Sequence, residues 1–181
     1  MIKLIDLLKE AKQVGNLYHF TYDTAILKIL KNGLYFKPDN TELTKHKDKF
    51  YISTTRDHTG AKFYKGSEMT ARVTLDGNAI SEQYSIEPVS VENIWLKNIG
   101  GNYNKPSVKD AFYEERIFSS KGGYLDPKYI IKIDTIIPED EVRKAIEWGK
   151  EDSKRKVNFD DSTFDYVDSG KLNFVKDFNS K

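Results

Sequence analysis

Two stretches near the start of the chain differ in hydrophobic periodicity. Residues 17–21 read Leu-Tyr-His-Phe-Thr, a run rich in β-forming side chains that predicts a strand. An amphipathic helix ending at Gly33 is predicted next by apolar residues at helical spacing, namely Ala25, Ile26, Ile29 and Leu30. His19 therefore lies where a strand gives way to a helix. Functional sites are common at such junctions, because the strand fixes the side chain while the following loop leaves it accessible.

Two later stretches also predict strands with polar side chains. Residues 49–57, Lys-Phe-Tyr-Ile-Ser-Thr-Thr-Arg-Asp, form a short strand that ends in hydroxyl residues. Asp57 is placed to cap a following helix that carries Tyr64. Residues 112–118 put paired glutamates at the head of a third strand. Histidine, then tyrosine with hydroxyl residues, then glutamate thus follow one another on separate predicted strands.

The remaining periodic stretches continue this β-rich pattern. A strand over 71–75 is predicted to run into a tight turn at Asp76-Gly77. The strongest strand signal, over 129–137, is apolar almost throughout and is expected to be central. Pro138 then opens a helix whose acidic first turn suits the helix dipole. Weaker β patterns are found at residues 84–88 and 91–97.

Length and composition predict one folded domain. The chain has 181 residues, of which 38% are hydrophobic and 13% aromatic, enough to form a core. We expect this domain to span residues 1–150, with an amphipathic helix at 1–14 packed on it. Residues 151–181 are predicted to be a polar C-terminal extension.

Charge and residue usage exclude several classes of protein. Lys+Arg 29 against Asp+Glu 28 gives a formal net charge of +1, so no global field recruits nucleic acid or a membrane. The chain has no cysteine and three scattered histidines, which predicts a cytoplasmic protein that binds no metal. No apolar run is long enough to span a bilayer. The hydrolase elbow, the Walker loop and the Rossmann glycine fingerprint are all absent from the sequence.

The order of these residues resembles the ADP-ribosyltransferase superfamily, in particular its His-Tyr-Glu branch of poly-ADP-ribose polymerases and diphtheria-like toxins. The first motif is Tyr18-His19 followed by Ile29-Leu30-Lys31-Asn32-Gly33-Leu34, the second is Phe50-Tyr51-Ile52, and the third is Glu115-Arg116-Ile117-Phe118. The resemblance covers residues 17–137. It implies an α+β fold, a split β-sandwich of mixed, mostly antiparallel sheets with flanking helices and a central NAD cleft.

The same resemblance implies a small mono-ADP-ribosyltransferase of phage or toxin type. NAD is then the substrate, no metal is needed, and the acceptor is a protein, DNA or RNA. Cleavage of the nicotinamide–ribose bond passes through an oxocarbenium-like state that a carboxylate stabilises. Catalytic roles are implied for His19, Tyr51 and Glu115. The residues expected to contact NAD are His19, Phe20, Thr21, Tyr51, Ser53, Thr54, Arg56 and Tyr64. The residues expected at the acceptor are Tyr103, Asn104, Tyr113 and Glu114.

Other interpretations of the same residues stay open. Strand alternation puts Glu115 with Tyr113 and Ile117 on one face and Glu114 with Arg116 on the other, which favours Glu115 over Glu114 as the key carboxylate. The hydroxyl run at 53–55 is closer to the Arg-Ser-Glu branch of the superfamily. An RNA 2′-phosphotransferase would use a set of arginines instead of the glutamate. A catalytically silent scaffold of the same fold is the third alternative.

Overall fold

A computed structural model describes residues 14–38, 50–59, 69–89, 114–151, 165 and 167–178. Its strands are β1 (Asn16–Thr21), β2 (Leu34–Pro38), β3 (Phe50–Thr55), β4 (Ala71–Asp76), β5 (Ser85–Val89), β6 (Glu114–Ser119), β7 (Gly123–Leu125), β8 (Ile130–Thr135) and β9 (Leu172–Phe174). Its α-helices are α1 (Ile26–Asn32), α2 (Gly77–Ser81) and α3 (Glu139–Glu151). Single 3-10 turns lie at Asp23–Ala25 and Pro127–Tyr129.

The strands form a mixed, mostly antiparallel sheet. The order along it is β5-β6-β3-β1-β4-β8-β9, and among these pairs only β8 and β9 are parallel. β2 lies off this path, since its residues 34–36 pair with β7 and its residues 37–38 pair with β3. The α+β class with a mostly antiparallel sheet and flanking helices is therefore confirmed.

The sheet is split between β1 and β3. These two strands share a single register pair, Tyr18 with Thr55, whereas six pairs join β1 to β4 and six join β3 to β6. Beyond Tyr18, the neighbouring contact is made by a side chain, because the imidazole of His19 bonds the carbonyl of Ser53. One half of the sheet is thus β5-β6-β3 and the other is β1-β4-β8-β9.

The hydrophobic core covers one face of this sheet, which we call the core face. Strand alternation turns Leu17, Ile52, Val73, Ile117 and Ile133 to that face, where each is 0–2% exposed. The residues that pack on them come from the helices and from the β2–β7 ladder: Ile26, Ile29, Leu30, Leu34, Phe36, Ile80, Leu125, Val142 and Ile146. The opposite face, which we call the polar face, carries Tyr18, Tyr51, Thr55, Arg72, Glu114 and Arg116.

Several predicted elements are confirmed. The first strand, the helix that follows it and the strand at 50–55 lie where the periodicity put them. Gly33 ends α1 with φ 87°, a left-handed backbone that favours glycine. The acidic first turn after Pro138 opens α3. The predicted helices at 1–13 and around Tyr64, and the strand at 91–97, lie outside the described residues.

The predicted tight turn at Asp76-Gly77 is wrong, because Asp76 caps a helix there. Its carboxylate accepts from the backbone N–H of Ala79 at 3.0 Å. Asn78 on the same helix accepts from the N–H groups of Val14 and Gly15 at 2.8 and 3.0 Å. These long-range bonds stabilise a five-residue helix, a length that is marginal in isolation.

The expectation that the strongest apolar strand is central is wrong. The strand at 130–135 is next to the edge of the sheet, because β9 follows it as the last strand. Two of its isoleucines, Ile130 and Ile133, are buried in the core, whereas Ile131 is 47% exposed. Within the stretch predicted to be a polar C-terminal extension, β9 pairs with β8, and Val167 and Leu172 are buried in the core.

Candidate active site

His19, Thr54 and Glu115 form a row across three strands. Thr54 pairs with Glu115 of β6, and the register of Tyr18 with Thr55 places His19 at the level of Thr54. Residues at one level of antiparallel strands point to the same face, so the row lies on the core face. Its two ends are two strand spacings apart, about 10 Å between Cα atoms. The structure therefore brings together the predicted histidine and the predicted glutamate.

His19 is held as a neutral imidazole. Its Nδ1 lies 2.7 Å from the carbonyl oxygen of Ser53, which only accepts, so Nδ1 carries the proton. Burial lowers the pKa of His19, and the charge of Lys37 adds to that effect, while the bond to the Ser53 carbonyl opposes it. The resulting tautomer leaves Nε2 as an acceptor. An acceptor at this atom suits a sugar hydroxyl.

Glu115 is a carboxylate on an otherwise apolar part of the core face. Its side chain is 13% exposed, and Ile52 and Ile117 form the next row of the same face. One oxygen, Oε1, accepts from Nε of Arg56 at 2.6 Å. The other, Oε2, is buried and has no hydrogen-bond partner among the described residues. A buried carboxylate oxygen of this kind is costly unless a ligand or another group donates to it, so it marks a candidate functional site.

Arg56 and Thr54 fix the position of Glu115. Arg56 donates to the carboxylate through Nε and to the carbonyl of Val14 through Nη1, at 2.6 and 2.7 Å. The hydroxyl of Thr54 donates to the backbone carbonyl of Glu115 at 2.8 Å. The sequence predicted that Arg56 contacts NAD, but these two donors are directed at Glu115 and Val14. Its positioning role was missed because it depends on a contact between residues 59 positions apart.

Tyr51 does not share the face of Glu115. Side chains of a strand point to its two faces in turn, so Tyr51 and Ser53 lie on the polar face because Thr54 lies on the core face. On the polar face, the guanidinium carbon of Arg116 lies 4.1 Å from the centre of the Tyr51 ring. The cross-strand register therefore places Tyr51 and Glu115, two of the predicted catalytic residues, on opposite faces of the sheet. The Tyr51 side chain is therefore separated by the sheet from the row of His19, Thr54 and Glu115 on the core face.

Glu114 belongs to a buried ion pair. Its Oε1 accepts from Nε of Arg116 at 2.8 Å, and both side chains are about 90% buried or more. The predicted sharing of one face by Glu114 and Arg116 is confirmed. A carboxylate already neutralised by a buried arginine is suited to a structural role. Glu115 differs from Glu114 because one of its carboxylate oxygens has no hydrogen-bond donor among the described residues.

Of the other predicted site residues, Phe20 and Thr21 lie on β1 and the rest are not described by the structure. Phe20 is 4% exposed on the polar face and packs edge-on against Phe178 at 5.7 Å, so it contributes to packing. Thr21 ends β1, and its carbonyl accepts from the N–H of Thr70. Four predicted residues lie outside the described parts of the chain: Tyr64, Tyr103, Asn104 and Tyr113.

Two solved structures are similar to this chain. DarTG of Thermosipho africanus in complex with ADP-ribose is 14% identical with a TM-score of 0.44, and the match covers 74% of this chain and 47% of that one. DarT of Thermus sp. 2.9 in complex with NAD+ is 12% identical with a TM-score of 0.43, covering 90% and 96%. This chain thus spans about half the length of the first. No protein-family model matches the sequence, and no curated protein matches it.

Two further findings concern the described residues only. They contain no group of three or more His, Asp or Glu side chains that could hold a metal ion. None of their helices is both long and apolar enough to cross a membrane.

Proposed function

We propose that this chain is a mono-ADP-ribosyltransferase that transfers ADP-ribose from NAD to a macromolecular acceptor. The observation that carries the proposal is the row of His19, Thr54 and Glu115 at the split in the sheet, with a buried Glu115 oxygen that lacks a hydrogen-bond donor among the described residues. The order of the sequence motifs, which resembles the His-Tyr-Glu branch, supports it. The acceptor class, protein or nucleic acid, is left to experiment.

The reaction breaks the bond between the nicotinamide nitrogen and C1′ of the ribose. Nicotinamide leaves with the bonding electron pair, and positive charge develops on the ribose ring. A nucleophilic atom of the acceptor then bonds to C1′ and loses its proton. Groups that interact more strongly with the charged ribose than with NAD accelerate the first step.

Glu115 is proposed to accept a hydrogen bond from the ribose 2′-hydroxyl through Oε2. That bond would satisfy the buried oxygen and place negative charge beside the developing cation. Arg56 holds the other oxygen, so the carboxylate is oriented before NAD binds. His19 is proposed to accept from a hydroxyl of the adenosine ribose through Nε2, which its neutral tautomer allows.

The placement of the described arginines does not favour the phosphotransferase alternative. The two arginines that it would need, Arg56 and Arg116, lie on opposite faces of the sheet. Each is engaged by a glutamate, Arg56 by Glu115 and Arg116 by Glu114. A set of arginines that converges on one phosphate is therefore not formed by these two residues.

The test is release of nicotinamide from NAD by the purified protein and by Glu115→Gln, with and without cell lysate or nucleic acid. The substitution keeps the shape of the side chain and removes its charge, so we expect a loss of at least about 100-fold. Glu82→Gln is the matched control, because Glu82 is an exposed glutamate outside the site and should leave the rate unchanged.

The outcomes separate the three functions. Release that needs Glu115 and rises with lysate or with nucleic acid supports a transferase and identifies the fraction that contains the acceptor. Loss of a phosphate from 2′-phosphorylated RNA, without nicotinamide release from NAD alone, would instead support the phosphotransferase. Folded protein with neither activity would leave a silent scaffold.

A further inference from the structure

Arg72 on β4 joins five parts of the chain at one buried guanidinium. Its Nε and Nη2 donate to the same oxygen of Asp134 on β8, at 3.1 and 2.7 Å. Its Nη1 donates to two backbone carbonyls, that of His58 after β3 and, at 2.9 Å, that of Phe178 after β9. The rings of Tyr18 and Phe178 lie 5.8 and 5.4 Å from the guanidinium carbon. The arginine is 5% exposed.

This network exceeds what pairing a buried charge requires. The carboxylate of Asp134 pairs the charge of Arg72 through Oδ2. A second cation, the ammonium of Lys132, lies 3.1 Å from the other carboxylate oxygen, Oδ1. The two N–H groups of Arg72 Nη1 donate to backbone carbonyls of two segments that are 120 residues apart in sequence. Buried arginines that hold backbone carbonyls fix the path of the chain, since an unsatisfied donor or acceptor there is costly.

The His58 segment is the turn that carries Arg56. Within this turn, which we call the 55–59 turn, the N–H of Asp57 donates to the hydroxyl of Thr55, and the carboxylate of Asp57 accepts from Thr59. These local bonds make the turn a unit. Arg72 holds one side of the unit through His58, and Arg56 extends from the unit to Glu115.

The C-terminal segment reaches the same point from the other direction. The N–H of Val175 donates to the carbonyl of Thr135, which continues the β9 path, and Phe178 then packs edge-on against Phe20 at 5.7 Å. Phe178 therefore anchors the segment to the polar face through its ring as well as through its carbonyl. The contact is next to the split in the sheet, because Phe20 and Tyr18 both belong to β1.

We propose that Arg72 is a positioning residue that couples docking of the C-terminal segment at Phe178 to the orientation of Glu115, through the 55–59 turn and Arg56. The inference deepens the proposed function and rests on it only for the role of Glu115. The link itself is structural: removing the Phe178 ring loosens Arg72, the turn shifts, and the hydrogen bond from Arg56 to Glu115 weakens.

The test follows the side-chain Nε–H signal of Arg56 in the nuclear magnetic resonance spectrum of the full chain without NAD. Its loss in Arg56→Lys identifies the signal, and its position in Glu115→Gln marks the weakened bond. We expect Phe178→Ala to move the signal toward the Glu115→Gln position and Phe178→Tyr, which keeps the ring, to leave it in place. Phe174→Ala is the matched control, a partly buried phenylalanine of β9 that packs on the core.

An unchanged Arg56 signal in folded Phe178→Ala would overturn the proposal, as would an equal shift in Phe174→Ala. This readout needs no turnover, so it is independent of the nicotinamide assay that decides the proposed function. In the active enzyme we expect Phe178→Ala to lower kcat about 10- to 100-fold, since small misplacements of catalytic groups have effects of this size. KM for NAD should stay unchanged, and Phe178→Tyr should restore kcat.

Discussion

At the scale of single residues, the site is built from side chains that their neighbours hold in place. His19 is neutral because burial disfavours its cation and the Ser53 carbonyl fixes the proton on Nδ1. Glu115 is held by Arg56 at one oxygen, with the other oxygen buried. His19 thus presents Nε2 as an acceptor, and Glu115 presents a carboxylate oxygen that has no donor among the described residues.

The lowered pKa of His19 predicts how stability depends on pH. In the unfolded chain the histidine takes up a proton near pH 6.5, whereas in the folded protein it does so only at lower pH. Between these values the unfolded state binds more protons, so stability falls as pH falls from about 6.5 to the lowered pKa and levels off below it. His19→Gln, which keeps a donor for the Ser53 carbonyl, should lack this component.

Urea unfolding of both proteins at several pH values checks this prediction. The relevant quantity is the difference in free energy of unfolding between the wild type and His19→Gln, because the two proteins share every other ionisable group. That difference should be constant above about pH 6.5. A difference that is also constant below pH 6.5 would contradict a neutral, partly buried His19.

At the scale of elements, the junction of α1 and β2 tolerates little change at Gly33. A Cβ at Gly33 would lie 1.7 Å from the carbonyl oxygen of Leu125 on β7, and the backbone there has φ +87°. Gly33→Ala must therefore move one strand of the β2–β7 ladder or break the end of α1. We expect a loss of at least about 3 kcal/mol in the free energy of unfolding.

Gly170→Ala is the control for the effect of backbone conformation alone. Gly170 has φ +74°, and nothing lies within 4 Å of an added Cβ. Its substitution should cost only the left-handed strain of about 1–2 kcal/mol. Urea unfolding measures both values, and equal losses in the two variants would show that the close approach at Leu125 is relieved without cost.

The elements that sequence predicted well are those governed by local periodicity. β1 and α1 follow from residues that are neighbours in sequence, and α3 follows from an acidic turn after Pro138. α2 was missed because Asn78 completes it through bonds to residues more than 60 positions away. The place of β8 next to the edge depends on β9, which the polar composition of the extension concealed.

At the scale of the whole molecule, the sequence predicted the members of the site better than their arrangement. Alternation within β6 correctly separated Glu115 from Glu114, since that requires one strand only. To tell whether Tyr51 and Glu115 share a face, the register between β3 and β6 must be known, and the hydrophobic pattern does not give it. Arg56 contacts Glu115, 59 positions away, and Arg72 contacts Asp134, 62 positions away. Contacts at such distances in sequence are known only once the fold is known.

The split in the sheet predicts that NAD stabilises the folded protein by binding both halves. Its halves share one register pair between β1 and β3, and the proposed NAD contacts, His19 on one half and Glu115 on the other, span that split. NAD that binds both halves should stabilise the fold by about 1.4 kcal/mol at ten times its dissociation constant. Exchange of the β1 and β3 amide hydrogens should slow as well.

Glu115→Gln is the protein to use, because it should bind NAD without consuming it. Its melting temperature is compared with no ligand, with NAD+ and with ATP, which has the adenosine and phosphates but lacks the nicotinamide riboside. We expect NAD+ to raise the midpoint more than ATP does, because only NAD+ reaches both halves of the sheet. Equal increases in melting temperature with NAD+ and ATP would indicate that NAD+ binds only the half of the sheet that carries His19. An unchanged melting temperature at millimolar NAD+ would refute binding across the split.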